Sequence, residues 1–248
     1  MAAAALAFFV LGTAIGSFVN VCVFRLPRGL SVVRPRSHCP ACERRIKWYD
    51  LVPLLNVVWL RRRCRFCDAA IAWRYPLVEA VGGVLCAAFF VRYGFSPELA
   101  AGLCLAGALL AAALIDAEHL LVPDGISLFL AVTGLGFAGL HGGEALAAAL
   151  WGAALGAGIL YLMGTAGRWC LRAESMGWGD IKLGGGIGLF LGPENTLWCL
   201  FYAVSSGALV GVGLRLAGRL DARQAMPFAP FLALGALAAL LWGGIPLG

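Results

Sequence analysis

The sequence predicts an all-α protein that crosses a membrane several times and carries one hydrophilic loop between its first two spans. Of its 248 residues, 61% are hydrophobic and 13% are charged, whereas a soluble domain of this length carries about 25% charged residues. The apolar residues form runs of roughly 18 to 24, the length that a helix needs to cross a ~30 Å hydrocarbon layer. The short alternating strands of a transmembrane β-barrel are absent from the pattern.

The predicted spans number about eight, and the connections between them are short apart from the one loop. The sixth span is short and rich in glycine, and no internal repeat is evident in the sequence. The spans cover residues 2–24, 76–94, 98–116, 124–141, 144–165, 180–192, 195–217 and 228–246. We therefore divide the chain into a first transmembrane helix at 1–24, a loop at 25–75 and a seven-helix core at 76–248.

Basic residues indicate how these spans are oriented. The 25–75 loop holds 12 of the 19 Lys and Arg residues, the connections at 166–182 and 215–227 hold three each, and Arg92 alone falls on the other side. Because cytoplasmic loops carry the excess of Lys and Arg, we expect the loop to be cytoplasmic and both termini to lie outside. The first span is expected to be retained, since no basic segment precedes it. This basic face favours contact with membrane lipids and not with nucleic acid.

The loop contains four cysteines arranged as two C-x-x-C pairs, which is the pattern of a structural zinc site. Cys39 and Cys42 form the first pair, and Cys64 and Cys67 form the second after 21 intervening residues. Two such pairs can complete a tetrahedral Zn²⁺ shell. Because four thiolates fill that shell, the zinc is expected to organise the loop and not to activate water. The alternative is a set of free or redox-active thiols, since a cytoplasmic location disfavours disulfides.

Two aspartates lie where apolar spans meet the membrane edge. Asp116 ends the third predicted span and Asp180 opens the sixth, so the predicted topology puts both at the cytoplasmic edge. Carboxylates in or beside spans are costly in lipid and are therefore functional candidates. Two carboxylates about 3 Å apart share one proton, which lets one activate water while the other polarises a carbonyl. This chemistry is that of an aspartyl protease; the structural alternative is an end-of-helix residue and an N-cap.

The helix ends predict how this pair divides its work. Asp180 begins a helix, where the macrodipole favours an anion, and Asp116 ends one, where the macrodipole disfavours it. We therefore expect Asp180 to be mainly the base and Asp116 mainly the acid, with the reverse left open because coupled titration belongs to the pair. Gly177 and Gly179, on either side of Trp178, are expected to let the backbone approach the substrate closely.

Several ordered motifs resemble those of the bacterial type IV prepilin peptidase family, whose active site belongs to the GxGD class of membrane aspartyl proteases. The resemblance covers nearly the whole chain, including the tetracysteine loop. The motifs are GSFVNV at 16–21, RLP at 25–27, SHCPAC at 37–42, DLVPLL at 50–55, RCRFC at 63–67, RYPLVE at 74–79, Asp116 with PD at 123–124, GWGDIK at 177–182 and PFAPF at 227–231. The last has alanine where the family usually has glycine.

The resemblance implies an activity, cofactors and partners. It implies that Asp116 and Asp180 are the catalytic pair of an endopeptidase of the bacterial inner membrane. Its substrates would be type IV prepilins or type II secretion pseudopilins, cut after the glycine between a basic leader and an apolar helix. The resemblance also implies a second activity, methylation of the new terminal amine from S-adenosylmethionine, with which the family's cysteine loop is associated.

A basic leader and a basic cytoplasmic face repel each other, so local acids are expected to offset the repulsion. Glu118, Asp124 and Glu174 are the candidates, and Lys182 belongs to the GxGD signature as a supporting residue. No G-x-G-x-x-G follows a predicted strand, which argues against a soluble dinucleotide-fold methyltransferase domain.

Three other functions fit parts of this pattern. A GxGD membrane protease without methyltransferase activity would have no use for the cysteine loop. A proton-coupled transporter would usually place its carboxylates near the membrane midplane and often shows internal repeats. A zinc-loop scaffold without catalysis would leave the two edge aspartates unexplained.

Overall fold

The computed structural model describes residues 1–54, 59–171, 176–219 and 226–245. Short 3-10 turns lie at Leu26–Arg28 and Trp48–Leu51. Within the described ranges, isolated β-bridges are the only extended pairings, so the all-α class is confirmed. The α-helices are α1 (Ala2–Arg25), α2 (Arg74–Tyr93), α3 (Pro97–His119), α4 (Asp124–Leu140), α5 (Gly143–Leu171), α6 (Trp178–Leu216) and α7 (Ala229–Gly243).

Five of these helices are long and apolar enough to cross a membrane. They are α1 with the turn that follows it, α2, α3, α5 and α6. The apolar helices α4 and α7 are shorter, with 17 and 15 residues. A 17-residue helix is about 25 Å long, slightly less than the hydrocarbon layer. A multi-pass helical membrane protein is therefore confirmed, and the count of eight spans stays a prediction.

Helix α6 is 39 residues long but bends back on itself at Gly192. That glycine has φ 67° and ψ −178°, and Pro193 follows it. A Cβ added to Gly156 of α5 would contact Gly184 and lie 3.4 Å from the Thr196 side chain. Residues 184 and 196 of a straight helix would be about 18 Å apart, so the two halves must run in opposite directions. The bend lies where the sequence predicts the boundary between the sixth and seventh spans.

The chain packs as two compact units, Met1–Leu99 and Ala100–Gly248. The first unit contains α1, the cysteine loop and α2, whereas the sequence-based division groups α2 with the later helices. That three-part division concerns function and stays a prediction. In the first unit the backbones of α1 and α2 touch: a Cβ on Gly16 would lie 2.6 Å from the Val78 carbonyl oxygen. Small residues allow helices in a membrane to pack this closely.

The loop contains a motif at residues 37–48 that recurs 25 positions later at 62–73, so the expectation that the chain has no internal repeat is wrong. In each copy the N–H of the first cysteine donates to the carbonyl five residues later. The residue after the second cysteine has a left-handed φ of 56° and donates to the carbonyl of the first cysteine. The shared residues are Cys39, Cys42, Ile46 and Trp48 in one copy and Cys64, Cys67, Ile71 and Trp73 in the other, with Glu43 and Asp68 after the second cysteines.

In the second unit, α6 packs against α4, α5 and α7. These contacts also depend on small residues. A Cβ on Gly188 would collide with the Gly152 backbone of α5, and one on Gly235 of α7 would collide with the Cys199 carbonyl. On the α4 side, a Cβ on Gly186 would lie 3.0 Å from Leu130. This packing fixes the first turn of α6, which carries Asp180.

Candidate active site and cysteine cluster

Asp116 lies in the last turn of α3 and is 5% exposed. Its Oδ2 accepts a 2.9 Å hydrogen bond from the backbone N–H of Ala229, the first residue of α7. The backbone of Phe228 also hydrogen-bonds to this carboxylate. The first N–H groups of a helix have no partner within the helix, so α7 supplies donors to Asp116 that would otherwise be unused.

Asp180 is the third residue of α6, and Gly177 is the N-cap of that helix. The backbone N–H of Gly177 hydrogen-bonds to the Asp180 carboxylate. This bond, from the N-cap N–H to the side chain of the third helical residue, is one of the two bonds of a capping box. The Oδ1 oxygen of Asp180 is buried and has no hydrogen-bond partner among the described residues. A buried acceptor without a partner costs about 1–3 kcal/mol, and such atoms are often found at functional sites.

The structure brings Asp116 and Asp180 together. The two carboxylates are close enough for the charge on Asp116 to repel the charge on Asp180. Both belong to the second unit, and they come from helices that are far apart in the chain. The end of α3 and the starts of α6 and α7 therefore form one cluster around two acids.

Gly179 packs closely against the protein's own backbone. A Cβ at this position would lie 2.9 Å from the Cβ of Val122 and 3.3 Å from its carbonyl oxygen. The segment before α4 therefore needs a glycine here, and the approach of a substrate to Gly177 and Gly179 stays a prediction. Gly177 is exposed, and a Cβ there would meet only Asp180 Oδ2, at 3.4 Å.

The acids proposed to attract a basic leader have different surroundings. The carboxylate of Asp124 forms a 2.7 Å salt bridge with Lys182 Nζ, and its role in attracting the leader stays a prediction. Lys182 thereby ties the start of α4 to the first turn of α6. The Glu118 side chain is 37% exposed and lies 4.0 Å from His119 Nε2. Glu174 lies outside the described residues.

Sequence reasoning missed the contribution of α7. The donors at Phe228 and Ala229 are backbone N–H groups, which no residue type marks. A helix start was nevertheless readable there, because Pro230 occupies the first turn of α7 and proline favours that position. The sequence does predict a span that begins at 228, but not the carboxylate that this helix start binds.

The four cysteines of the loop converge on one point, as the two C-x-x-C pairs predict. Their sulfur atoms all lie within 4.8 Å of one another. Between the two copies, Cys39 Sγ is 3.8 Å from Cys67 Sγ and Cys42 Sγ is 4.0 Å from Cys64 Sγ. A tetrahedron with Zn–S bonds of 2.3 Å has S···S edges of about 3.8 Å. The cluster therefore has the dimensions of a four-thiolate metal site.

Electrostatics of the cluster also favour a cation. The backbone N–H of Phe66 is the main cause that lowers the pKa of Cys64 to about 7. The Ala69 N–H lowers the pKa of Cys67, but burial and the neighbouring thiols outweigh it and raise that pKa to about 12. Four thiolates this close repel one another, so all four ionise only when a metal ion balances their charge.

A salt bridge joins the second copy of the repeat to the turn that follows the first copy. Arg65 Nε and a terminal nitrogen of the same guanidinium donate to the two oxygens of Asp50, at 2.8 and 2.6 Å. The guanidinium of Arg65 lowers the pKa of Asp50. Arg65 lies between the cysteines of the second copy, and Asp50 lies in the turn that follows the first copy. This two-pronged geometry fixes direction as well as distance.

Comparisons with known proteins agree on one family. The bacterial Peptidase A24 N-terminal domain matches residues 10–93, and the type IV leader peptidase family matches residues 103–212. The protein named prepilin leader peptidase/N-methyltransferase in Bacillus subtilis is 36% identical over 95% of this chain and 93% of its own length. The protein of the same name in Aeromonas hydrophila is 34% identical over 95% of this chain and 89% of its own length. The namesake in Myxococcus xanthus is 39% identical over 84% of this chain, which spans 62% of that protein. No solved structure matches.

Proposed function

Because the chain belongs to the type IV leader peptidase family, we propose that it is a prepilin leader peptidase and N-methyltransferase. As a membrane aspartyl endopeptidase, it removes the basic leader of prepilins or pseudopilins after a glycine. It then methylates the new terminal amine with S-adenosylmethionine. The observation that carries the peptidase assignment is the juxtaposition of Asp116 and Asp180, with one buried oxygen of Asp180 lacking any partner.

The two acids supply a general base and a general acid. The charge on Asp116 disfavours a second charge on Asp180, so the pair is expected to carry one proton in the free enzyme. The ionised carboxylate takes a proton from water, and the water oxygen attacks the scissile carbonyl. The protonated carboxyl donates to that carbonyl oxygen and later assists departure of the amine. No covalent intermediate forms on the chain.

The helix ends predict Asp180 as the base and Asp116 as the acid, but the hydrogen bonds favour the opposite assignment. The Asp116 carboxylate accepts from the two backbone N–H groups at the start of α7, which stabilises an anion there. Asp180 accepts from one N–H group and keeps Oδ1 without a partner, so a proton on this carboxyl can be donated to a substrate carbonyl. We therefore assign Asp116 as the base and Asp180 as the acid in the free enzyme.

The place of these acids suits a prepilin. Asp116 ends one apolar helix and Asp180 begins another, so both lie at an edge of the hydrocarbon layer. A basic leader stays in the cytoplasm while the apolar helix after it enters the bilayer, which puts the scissile bond at that edge. We accordingly place the active site at the cytoplasmic face of the inner membrane, with the N-terminus outside.

We further propose that Cys39, Cys42, Cys64 and Cys67 hold a structural zinc ion. The S···S distances suit tetrahedral coordination, and a complete shell of thiolates leaves no position for catalytic water. The ion would fix the two copies of the repeat against each other, with the Asp50–Arg65 bridge beside it. S-adenosylmethionine supplies an electrophilic methyl group when bound.

One experiment tests both activities of the full-length protein in detergent. The protein is incubated with a prepilin, with and without S-adenosylmethionine, and the products are analysed by mass spectrometry. We expect leader loss that disappears in Asp116→Ala and Asp180→Ala and persists in Glu144→Ala, a change of an exposed acid in the first turn of α5. The methyl donor should add one methyl mass to the cleaved product. Leader loss that persists in either aspartate variant would rule out the proposed pair.

A further inference from the structure

The contact between α1 and α2 buries a carboxylate that leader cleavage does not use. Glu79 lies on α2 and is 3% exposed. It accepts a 2.9 Å hydrogen bond from the backbone N–H of Leu54 and a second hydrogen bond from the Ser17 side chain. Both donors are uncharged. An ionisable side chain within a membrane helix is by default a candidate for function.

A second polar side chain beside this carboxylate has one oxygen without a hydrogen-bond donor among the described residues. Asn20 on α1 is 3% exposed, and its Nδ2 donates to the Tyr75 carbonyl at 3.1 Å. Because a carbonyl can only accept, this bond fixes which amide atom is nitrogen. The Oδ1 of Asn20 is then a buried acceptor with no partner in the described part of the chain. A donor from outside the described chain would satisfy it.

The two groups lie on the same helix–helix contact. Ser17 and Asn20 are three residues apart on α1, and their partners Glu79 and Tyr75 are four residues apart on α2. Residues at these spacings occupy one face of a helix, about one turn apart. The carboxylate and the unpartnered amide oxygen are therefore neighbours, and both are acceptors.

The cysteine loop is attached to this carboxylate by a strained residue. Leu54 has a left-handed φ of 62°, which is unfavourable for a bulky side chain. Its N–H nonetheless points at Glu79. Backbone strain of this kind persists where the surroundings enforce it and is frequent at functional sites. The backbone of the loop at Leu54 is thereby tied directly to the Glu79 carboxylate.

We propose that Glu79 and Asn20 receive the α-ammonium group of the newly exposed terminal residue during methyl transfer, with Glu79 as the proton acceptor. The inference rests on the proposed function and assigns its second reaction a substrate site. Two neighbouring acceptors suit a cation with several N–H donors, and an ammonium group has three. S-adenosylmethionine also carries an α-ammonium group, so the first test below is run without the methyl donor.

The chemistry requires such an acceptor. A protonated amine has no lone pair, so it must lose a proton before it can attack a methyl carbon. Glu79 accepts that proton and becomes a neutral carboxyl, and the Asn20 oxygen holds a remaining N–H. The amine nitrogen then forms the new N–C bond as the C–S bond of the sulfonium breaks, and the bonding pair stays on sulfur as a thioether.

Binding without any methyl donor gives the first test. The probe is a synthetic peptide with the apolar sequence that follows the cleavage glycine, carrying either a free or an acetylated amino terminus. We expect the full-length protein in detergent to prefer the free amine by about 10- to 100-fold, the range of a hydrogen bond to a charged group. Glu79→Gln should abolish this preference. Glu43→Gln, the same change at an exposed acid of the loop, should keep it.

Kinetics on the same proteins give the second test. Glu79→Gln should lower kcat for methylation of pre-cleaved pilin by about 10²–10⁴-fold, as loss of a general base does, and leave leader removal unchanged. Asn20→Ala should raise KM for the pilin more than it lowers kcat, and it decides the matter if Glu79→Gln does not fold. A preference for the free amine that survives in Glu79→Gln would overturn the proposal, as would an undiminished preference in Asn20→Ala or a parallel loss of cleavage and methylation. If the parent cleaves but methylates no pilin, the proposed second activity itself is wrong.

Discussion

The Asp116 carboxylate accepts a hydrogen bond from the backbone N–H of Ala229, which is 113 positions further along the chain. The bond joins the end of one helix to the beginning of another. It holds the carboxylate in place and stabilises its negative charge, so α7 belongs to the proposed active site although it contributes no acidic residue. Several expected outcomes depend on contacts of this kind.

Replacing Ala229 with proline removes the donor while keeping a residue that the first turn of a helix tolerates. A hydrogen bond to a charged group contributes about 1.5–3 kcal/mol, so we expect kcat for leader cleavage to fall about 10- to 100-fold. Ala229→Gly keeps the N–H and serves as the control. Equal rates in the two variants, measured by single-turnover cleavage, would contradict a role for this bond.

The two aspartates should act as one unit. Asp116→Asn and Asp180→Asn are each expected to slow cleavage by about 10²–10⁴-fold, because each removes one of the two proton-transfer groups. The double variant should be no slower than the slower single variant, since groups that act together are not additive. If kcat of the double variant instead falls by the product of the two single-variant reductions, the two aspartates have independent roles.

The two glycines around Trp178 should differ in their tolerance of a side chain. Gly179→Ala puts a Cβ 2.9 Å from Val122, whereas Gly177→Ala meets only Asp180 Oδ2 at 3.4 Å. Overpacking of a tight contact costs about 1–3 kcal/mol, so Gly179→Ala should lower thermal stability and displace Asp180. We expect the larger loss of cleavage rate in Gly179→Ala. A larger loss of cleavage rate in Gly177→Ala would mean that Gly177 is the glycine that cannot accept a side chain.

The repeat predicts equivalent effects at equivalent cysteines. Cys39→Ser and Cys64→Ser each remove the first thiolate of one copy, so they should lower zinc content and loop stability to the same extent. Zinc retention should also fall at acidic pH, because protons compete with the metal ion for the thiolates. Metal analysis of the purified variants from neutral to acidic pH measures both effects. Full zinc content in either variant would show that the four sulfurs do not share one ion.

Attraction of the basic leader can be tested at Glu118. The side chain is 37% exposed, and interactions between exposed charges contribute about 0.2–1 kcal/mol. Glu118→Lys should therefore raise KM for a basic leader by up to about fivefold and leave KM for a neutral leader unchanged. Asp124 cannot serve in such a comparison, because its replacement also breaks the pair with Lys182. Equal changes for both leaders would show that Glu118 does not steer the substrate.

The parts of the site that the sequence predicts are those in which chemistry depends on residue type. Asp116 and Asp180 stand out because charged groups at the ends of apolar runs are rare and costly. The four cysteines stand out by their spacing. The Ala229 donor could not be found in this way, because every residue except proline offers the same backbone N–H.

The repeat was missed for a related reason. The two copies share their cysteines, an isoleucine, a tryptophan and an acid, but most positions between these differ. What the copies have in common is the pattern of backbone hydrogen bonds and the left-handed residues Glu43 and Asp68. Backbone conformation at a non-glycine residue leaves only a weak trace in the sequence, so the equivalence became visible in three dimensions.

The repeat in the loop has a consequence for how a complete cluster of sulfurs is assembled. One copy carries two cysteines, so a chain with a single copy would need a second chain to bring four sulfurs together. With both copies in one chain that encounter is intramolecular, and the effective concentration of the second half does not depend on how much protein the membrane contains. The loop therefore has the connectivity of a fused dimer, in which Cys39 lies beside Cys67 and Cys42 beside Cys64.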